Sequence, residues 1–322
     1  MKADAVFEGG GVKGIALVGA LWAAEARGYA WENVAGTSAG AIVASLVAAG
    51  YTAAEIKKIM DSLDFRQLKD ALITGRIPVL GPALSIGITN GLYKGNYFEK
   101  WLREKLAAKG VRTFGDLIMQ QYRNDEQRCY RLRVIAADIS RGRMLILPQD
   151  IAGYGLKPEK LDVATAVRMS MSIPLFYQPV QWGYKDRKGK RLISYIVDGG
   201  ILSNYPVWLF DTPGRPGWPT FGFRLVESEN PEERTHNISG PISLLSAVVS
   251  TMMEAHDRKH ISEADFARTI PIPTMGVRTT DFELAKEKRE ELFRSGVRAA
   301  EKFLDNWDFR AYVTRYRSDS PR

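Results

Sequence analysis

Cysteine is almost absent from this chain of 322 residues, with Cys129 the sole example. No internal disulfide can form, so the fold is not expected to depend on oxidising conditions. Histidine is nearly as scarce, with three in all: His236, His256 and His260, every one in the last third. Long apolar runs are missing too. Residues 15–24 and 39–49 are the most apolar stretches, and both fall short of the roughly 18 residues that a spanning helix needs. Asp4 and Glu8 interrupt the apolar region that a secretory leader would require. Nor is there a strong excess of one charge: 45 Lys and Arg against 37 Asp and Glu leave a net +8. That surplus comes without a recognition motif or a basic stripe interleaved with aromatics, so no nucleic-acid partner is expected. What is present is ordinary for a globular protein, 45% apolar and 25% charged residues, which excludes a disordered or fibrous chain. The expectation is a soluble, cytoplasmic protein.

The first fifty residues are the most regular. Residues 3–7 read as a short buried strand, followed by Gly9-Gly10-Gly11-Val12-Lys13-Gly14 and a helix over 15–27, with Gly28 at its stop. A second brief strand at 33–35 runs into Gly36-Thr37-Ser38-Ala39-Gly40. Residues 41–49 are apolar almost all round, the pattern of a helix buried on every side. Thr52-Ala53-Ala54-Glu55 is a capping box that opens the next helix. Strand, helix, strand and helix joined by tight glycine turns predict parallel strands with crossover helices, an α/β fold. Further helices are expected at 95–109, 159–169, 242–256 and 282–306. Strands are expected at 132–138, 143–147 and 220–226. The runs 177–182 and 192–197 flank a polar tip and predict a hairpin. No repeat or long linker appears, so residues 1–322 are read as a single domain.

Gly36-Thr37-Ser38-Ala39-Gly40 fits G-x-S-x-G, a turn that presents a serine between a strand and a helix. The flanking Gly36 and Gly40 permit the tight turn, and the helix aims its positive end at the reacting centre. A tight turn with an incidental serine is the alternative. The cluster at 9–14 has two functional readings. A dinucleotide loop would want an acidic residue ending the second strand to hold a ribose, and that strand instead runs into the serine turn. A Walker loop would want Ser or Thr after Lys13, where Gly14 stands. The other reading is an oxyanion hole formed by backbone N–H groups of Gly10, Gly11, Val12, Lys13 and Gly14. A glycine turn serving only packing also fits. A serine nucleophile needs a base, and the histidines suit that role poorly. His256 and His260 lie four apart in a charged stretch with no third ligand, which reads as a solvated helix face. Asp198, at the end of an apolar strand and followed by Gly199 and Gly200, is the carboxylate candidate.

Taken in order, these elements resemble the patatin-like phospholipase family, whose pattern is a glycine-rich loop, a G-x-S-x-G turn and an Asp-Gly-Gly or Asp-Gly-Ala. Likeness extends through Ala166-Val167-Arg168-Met169-Ser170-Met171-Ser172-Ile173-Pro174 and to Asn204 and Pro206, and so covers about residues 5–210. Glu8 and Lys13 depart from the Asp and Arg of many members. Residues 211–322 carry no matching motif and are expected to be helical. The resemblance implies a three-layer α/β fold with a central, mostly parallel sheet flanked by helices. It implies a lipid acyl hydrolase, of phospholipase A or lysophospholipase type, acting through a Ser38–Asp198 dyad and an acyl-serine. No metal and no cofactor are implied. An acyltransferase or thioesterase built on the same dyad is the near alternative, and a nucleotide-binding module the distant one. A phospholipid or another lipid ester would be the substrate, with peripheral contact to an anionic membrane. Two stretches are candidates for that contact: the Pro- and Gly-interrupted apolar segment 77–88, as a cover or lipid-facing loop, and the basic tip 185–191. For each, an ordinary buried connection or a solvated hairpin end is the alternative.

Overall fold

The computed structural model describes residues 1–63, 91–126, 128–186, 188–227, 261–279 and 284–317, together with 238, 240, 247, 248, 251, 252 and 281. The apolar segment at 77–88, the three histidines and most of the helix expected at 242–256 lie outside the described residues.

β1 (Lys2–Phe7) is buried from Ala3 onward. A 3-10 turn at Gly11–Lys13 leads into α1 (Gly14–Ala26), then come β2 (Ala30–Thr37) and α2 (Ala39–Ala48). Both helices are composed almost wholly of apolar residues and bury nearly every position. α3 (Ala53–Ser62) starts with the reciprocal cap its sequence predicts: the Thr52 hydroxyl accepts the Glu55 N–H, and the Glu55 carboxylate accepts the Thr52 N–H at 2.8 Å. β3 (Gly91–Tyr93), α4 (Asn96–Ala107), β4 (Leu132–Asp138) and β5 (Arg143–Leu147) follow. Next are α5 (Val163–Ser170), β6 (Leu175–Tyr177), β7 (Val180–Lys185) and β8 (Arg191–Asp198). β9 (Thr220–Val226), the short α6 (Glu263–Ala267), β10 (Thr269–Pro273), α7 (Lys286–Asp305) and α8 (Phe309–Tyr316) complete the described elements.

The fold is α/β, with a central, mostly parallel sheet flanked by helices. Its strand order is β10-β9-β1-β2-β4-β8-β7, with β5 also on β4. The strands β10, β9, β1, β2 and β4 run parallel to one another, while β5 and β8 are antiparallel to β4 and β7 is antiparallel to β8. Successive side chains on a strand point to opposite faces. Ala5, Phe7, Val34 and Val134 accordingly enter the large core with α1 and α2, whereas Val6, Ala35 and Ile135 pack on Leu209 and Phe210.

Three expectations need correction. The helix expected at 159–169 is split: Pro158–Lys160 is a separate 3-10 turn, and α5 begins at Val163. Asp162 causes the restart, because its carboxylate accepts the Thr165 N–H at 2.9 Å and caps the helix there. β2 is longer than the brief strand at 33–35, since it pairs with β1 from Ala30 onward. Beyond residue 211 the strand expected at 220–226 is present as β9, but the remainder is not simply helical, since β10 pairs with β9 and extends the sheet on the far side of β1. β10 is hidden in the sequence by Pro271 and Pro273. Proline cannot donate to a ladder, and an end strand with one free edge tolerates it.

Register sets the height of each loop. Phe7 pairs with Gly36, so the turns after β1 and β2 leave the sheet side by side. Thr37 pairs with Ile135, and Ala136 with Asp198. The antiparallel β8 therefore ends at the level where β2 ends.

Candidate active site

Ser38 sits at that level, between Thr37 of β2 and Ala39 of α2, with φ 52° and ψ −123°. A non-glycine residue at positive φ is strained and persists only where its surroundings hold it. Those surroundings are the two glycines of the motif. A Cβ at Gly36 would lie 2.3 Å from the Gly40 carbonyl carbon, and one at Gly40 would lie 2.2 Å from the Phe7 carbonyl oxygen. A third clamp comes from another element: the Ser38 N–H donates to Ser170 Oγ at 2.9 Å, and that hydroxyl donates to the Ile135 carbonyl at 2.5 Å. Ser170 is fully buried. Its role is invisible in sequence, where it appears only as one letter of the likeness at 166–174.

The glycine loop lies against this turn. A Cβ at Gly9 would stand 3.1 Å from Ser38 Cβ. Asn204 straps the loop from behind: its carbonyl accepts the Gly9 N–H at 3.1 Å and its amide Nδ2 donates to the Gly9 carbonyl at 3.3 Å. Gly11 has φ 56°, and a Cβ there would strike the Thr279 carbonyl oxygen. Five N–H groups were expected as oxyanion donors, and the geometry separates them. Val12 donates to the Thr279 carbonyl, Lys13 to that of Gly10, and Gly14 to that of Gly11. The N–H groups of Gly10 and Gly11 make no hydrogen bond among the described residues. Lys13 is buried and its Nζ lies 3.3 Å from Glu227 Oε1, so its charge is directed to a neighbouring carboxylate.

Asp198 is fully buried at the end of β8. One carboxylate oxygen, Oδ1, accepts the Gly200 N–H at 2.8 Å within the Gly199–Ile201 turn. The other, Oδ2, is buried with no hydrogen bond of acceptable geometry among the described residues. Burial pushes the carboxyl up to about 7, against the opposing pull of the Ser38 hydroxyl and the Gly200 N–H, both of which favour the charged form. Ser38 is thus close enough to act on the carboxyl electrostatically while Oδ2 stays open to a proton. The Asp198 N–H donates to the Ser172 carbonyl at 2.9 Å, and Thr37 Oγ1 donates to the Ser203 carbonyl at 3.1 Å. Residues 170–172 therefore hold both Ser38 and Asp198.

In front of Ser38 is a small apolar pocket of about 40 Å³. Val12, Ile42, Met60, Phe98, Met171 and Tyr177 contribute to its walls. Among the described residues no group of three or more His, Cys, Asp or Glu is placed to hold a metal ion. None of the described helices is long and apolar enough to cross a membrane.

Comparison with known proteins bears on the family and the fold. Residues 5–211 match the patatin-like phospholipase family. The chain is 41% identical over 309 residues to the uncharacterized protein YqhO of Bacillus subtilis, covering 96% of this chain and 100% of that one. It is 24% identical over 207 residues to the probable lipid hydrolase 463L of Invertebrate iridescent virus 6, covering 63% of this chain and 61% of the viral one. Among solved structures, VipD from Legionella pneumophila superposes with a TM-score of 0.55 at 19% identity, over 94% of this chain and 66% of VipD. ExoU in its complex with SpcU from Pseudomonas aeruginosa gives 0.50 at 19%, over 94% of this chain and 51% of that one. These structural likenesses support the fold. Family match and fold agree with the ordered set of glycine loop, serine turn and Asp-Gly-Gly: the chain belongs to the patatin-like phospholipase family.

Proposed function

We propose that the chain is a lipid acyl hydrolase of phospholipase A or lysophospholipase type, with Ser38 as nucleophile and Asp198 as its base. What supports this reading is a strained serine and a buried carboxylate at one level of the sheet, the Oδ2 of that carboxylate making no hydrogen bond among the described residues. Family membership and the name of the viral relative support a lipid substrate, as does the apolar lining in front of Ser38.

In the proposed reaction Ser38 Oγ attacks the ester carbonyl carbon while its proton passes to Asp198. The carbonyl oxygen becomes an oxyanion, held by the Gly10 and Gly11 N–H groups, which the loop leaves unpaired. Collapse of the tetrahedral species breaks the ester C–O bond, and the departing alcohol takes the proton from Asp198. A water then gives a proton to Asp198 and attacks the acyl-serine. Release of the fatty acid restores Ser38 as the proton returns to it. Lys13, paired with Glu227, anchors the loop rather than touching the substrate. A fatty chain would lie against the apolar walls of the pocket, where the flexible side chains of Met60 and Met171 can adapt to it.

Because the base works only when ionised, rate should follow its titration. On a short-chain, water-soluble ester, kcat/KM is expected to level off above about pH 7 and to fall about tenfold per unit below it. A profile flat down to about pH 5 would mean that burial does not raise the Asp198 carboxyl. Running the same assay with a lipid substrate, with and without an alcohol acceptor, should release free fatty acid in both cases. Acyl product on the acceptor alone would make the enzyme a transferase.

A further inference from the structure

Beyond the site, the β7–β8 hairpin reaches past the rest of the sheet. Asp138, the last residue of β4, pairs with Ile196. The part of β8 before Ile196 runs past the end of β4: Tyr195 still bonds to Ile139 and Ser140, and the residues before it pair with β7. Those five residues, Arg191 to Tyr195, reach about 17 Å beyond β4 at roughly 3.3 Å per residue. They project at the carboxyl end of the parallel strands, the end at which Ser38 and the glycine loop lie.

Burial alternates along this arm. Gln181, Gly183 and Lys185 are exposed on β7, as are Arg191 and Ile193 on β8, with the residues between them more buried. Lys185 is paired directly with Arg191 across the strands, and Gly183 with Ile193. Like charges opposite one another destabilise a hairpin, and among the described residues no acid forms an ion pair with either. Lys185, Lys188, Lys190 and Arg191 make no ion pair among the described residues. Asp186, the acidic residue of the tip, is turned to its own backbone: Oδ1 accepts the N–H groups of Lys188 and Lys190 at 2.9 and 2.8 Å. Ile193 is 55% exposed beside a glycine that cannot cover it. Ile139 is 54% exposed, and its N–H donates to the carbonyl of Tyr195, two residues along β8. Four cations without an ion-pair partner among the described residues, with exposed Ile193 next along the face that carries Lys185 and Arg191, match a surface that presents anions above hydrocarbon.

We propose that the β7–β8 arm docks on an anionic phospholipid bilayer, with its cations among the headgroup phosphates and Ile193 at the acyl boundary, so that the Ser38 end of the sheet is turned towards the membrane. The choice of a bilayer rests on the lipid-hydrolase reading. The contact itself rests on charge and exposure. Each basic residue near an anionic surface strengthens partitioning about fivefold, and burying an isoleucine about tenfold more.

The test is co-sedimentation of the intact protein with phosphatidylcholine vesicles, with and without about 30 mol% phosphatidylglycerol. Partitioning should require the anionic lipid and weaken as salt is raised. The triple variant Lys188→Gln/Lys190→Gln/Arg191→Gln should lose about 10²-fold in partitioning, and Ile193→Ser about tenfold. Both variants should retain wild-type turnover of a soluble short-chain ester, which also shows that they fold. Equal binding of wild type and triple variant, binding indifferent to anionic lipid, or no binding by the wild type would each overturn the proposal. So would capture of duplex DNA in preference to vesicles at the same salt. Sedimentation involves no turnover, so failure of the hydrolase reading would show in the ester assay and leave the binding result standing.

Discussion

Ser38→Ala is expected to reduce ester hydrolysis by about 10⁴-fold or more, leaving only what the oxyanion donors and substrate binding supply. The loss should fall on kcat and not on folding. Alanine keeps the backbone N–H that donates to Ser170 Oγ, and it bears the same positive φ as serine. Thermal melting and circular dichroism should therefore be close to wild type. Ser38→Gly separates chemistry from strain. It should be equally inactive, yet more stable by about 1 kcal/mol, because glycine meets no steric cost at φ 52°. A folded Ser38→Ala protein with full activity would remove Ser38 as the nucleophile. A Ser38→Gly protein that melts lower than wild type would contradict the strain argument.

Asp198→Asn carries the second large effect, and its sign reverses between activity and stability. Activity should fall about 10³-fold or more, since the amide cannot accept the serine proton. Stability should rise, but only where the wild-type carboxylate is charged. The folded-state carboxyl is raised to about 7, and an unfolded aspartate titrates near about 3.9. Between those values the folded chain holds a proton that the unfolded chain releases, so stability is lost as pH rises from about 4 to about 7 and then levels. The cost of holding the buried charge is fully present above about pH 7, with an upper bound of about 4 kcal/mol for a shift of about three units. Asp198→Asn should thus melt higher than wild type at about pH 8 and match it at about pH 4. The amide oxygen can still accept the Gly200 N–H, so the turn is preserved. Equal melting at both pH values would mean that Asp198 is not held against its ordinary titration.

The sequence was most legible where the chemistry of a turn demands particular residue types. Gly36 and Gly40 are required by atomic contacts of the elbow, so the motif could be found without any structure. The first two strand–helix units were equally readable, because buried helices such as α2 admit few polar residues. The cap at Thr52 follows from a four-residue pattern. Features that depend on distant partners could not be read. Ser170 is an ordinary serine until β4 and the elbow bring Ile135 and Ser38 to its hydroxyl. The five candidate oxyanion donors could not be sorted, because the carbonyl that takes the Val12 N–H belongs to Thr279. β10 was hidden by two prolines that its place at the sheet edge makes harmless. The titration of Asp198 near neutral pH depends on burial by β4, α5 and the loop after β8 together, and no stretch of sequence records it.

Activation of Ser38 by Asp198 is read by covalent labelling with a fluorophosphonate, followed by mass-spectrometric mapping of the adduct. A single phosphonyl adduct on Ser38 is expected, formed at a rate that rises with pH through about 7 and lost in Asp198→Asn. An adduct on another serine, or a Ser38 adduct formed as fast in Asp198→Asn as in wild type, would rule that activation out.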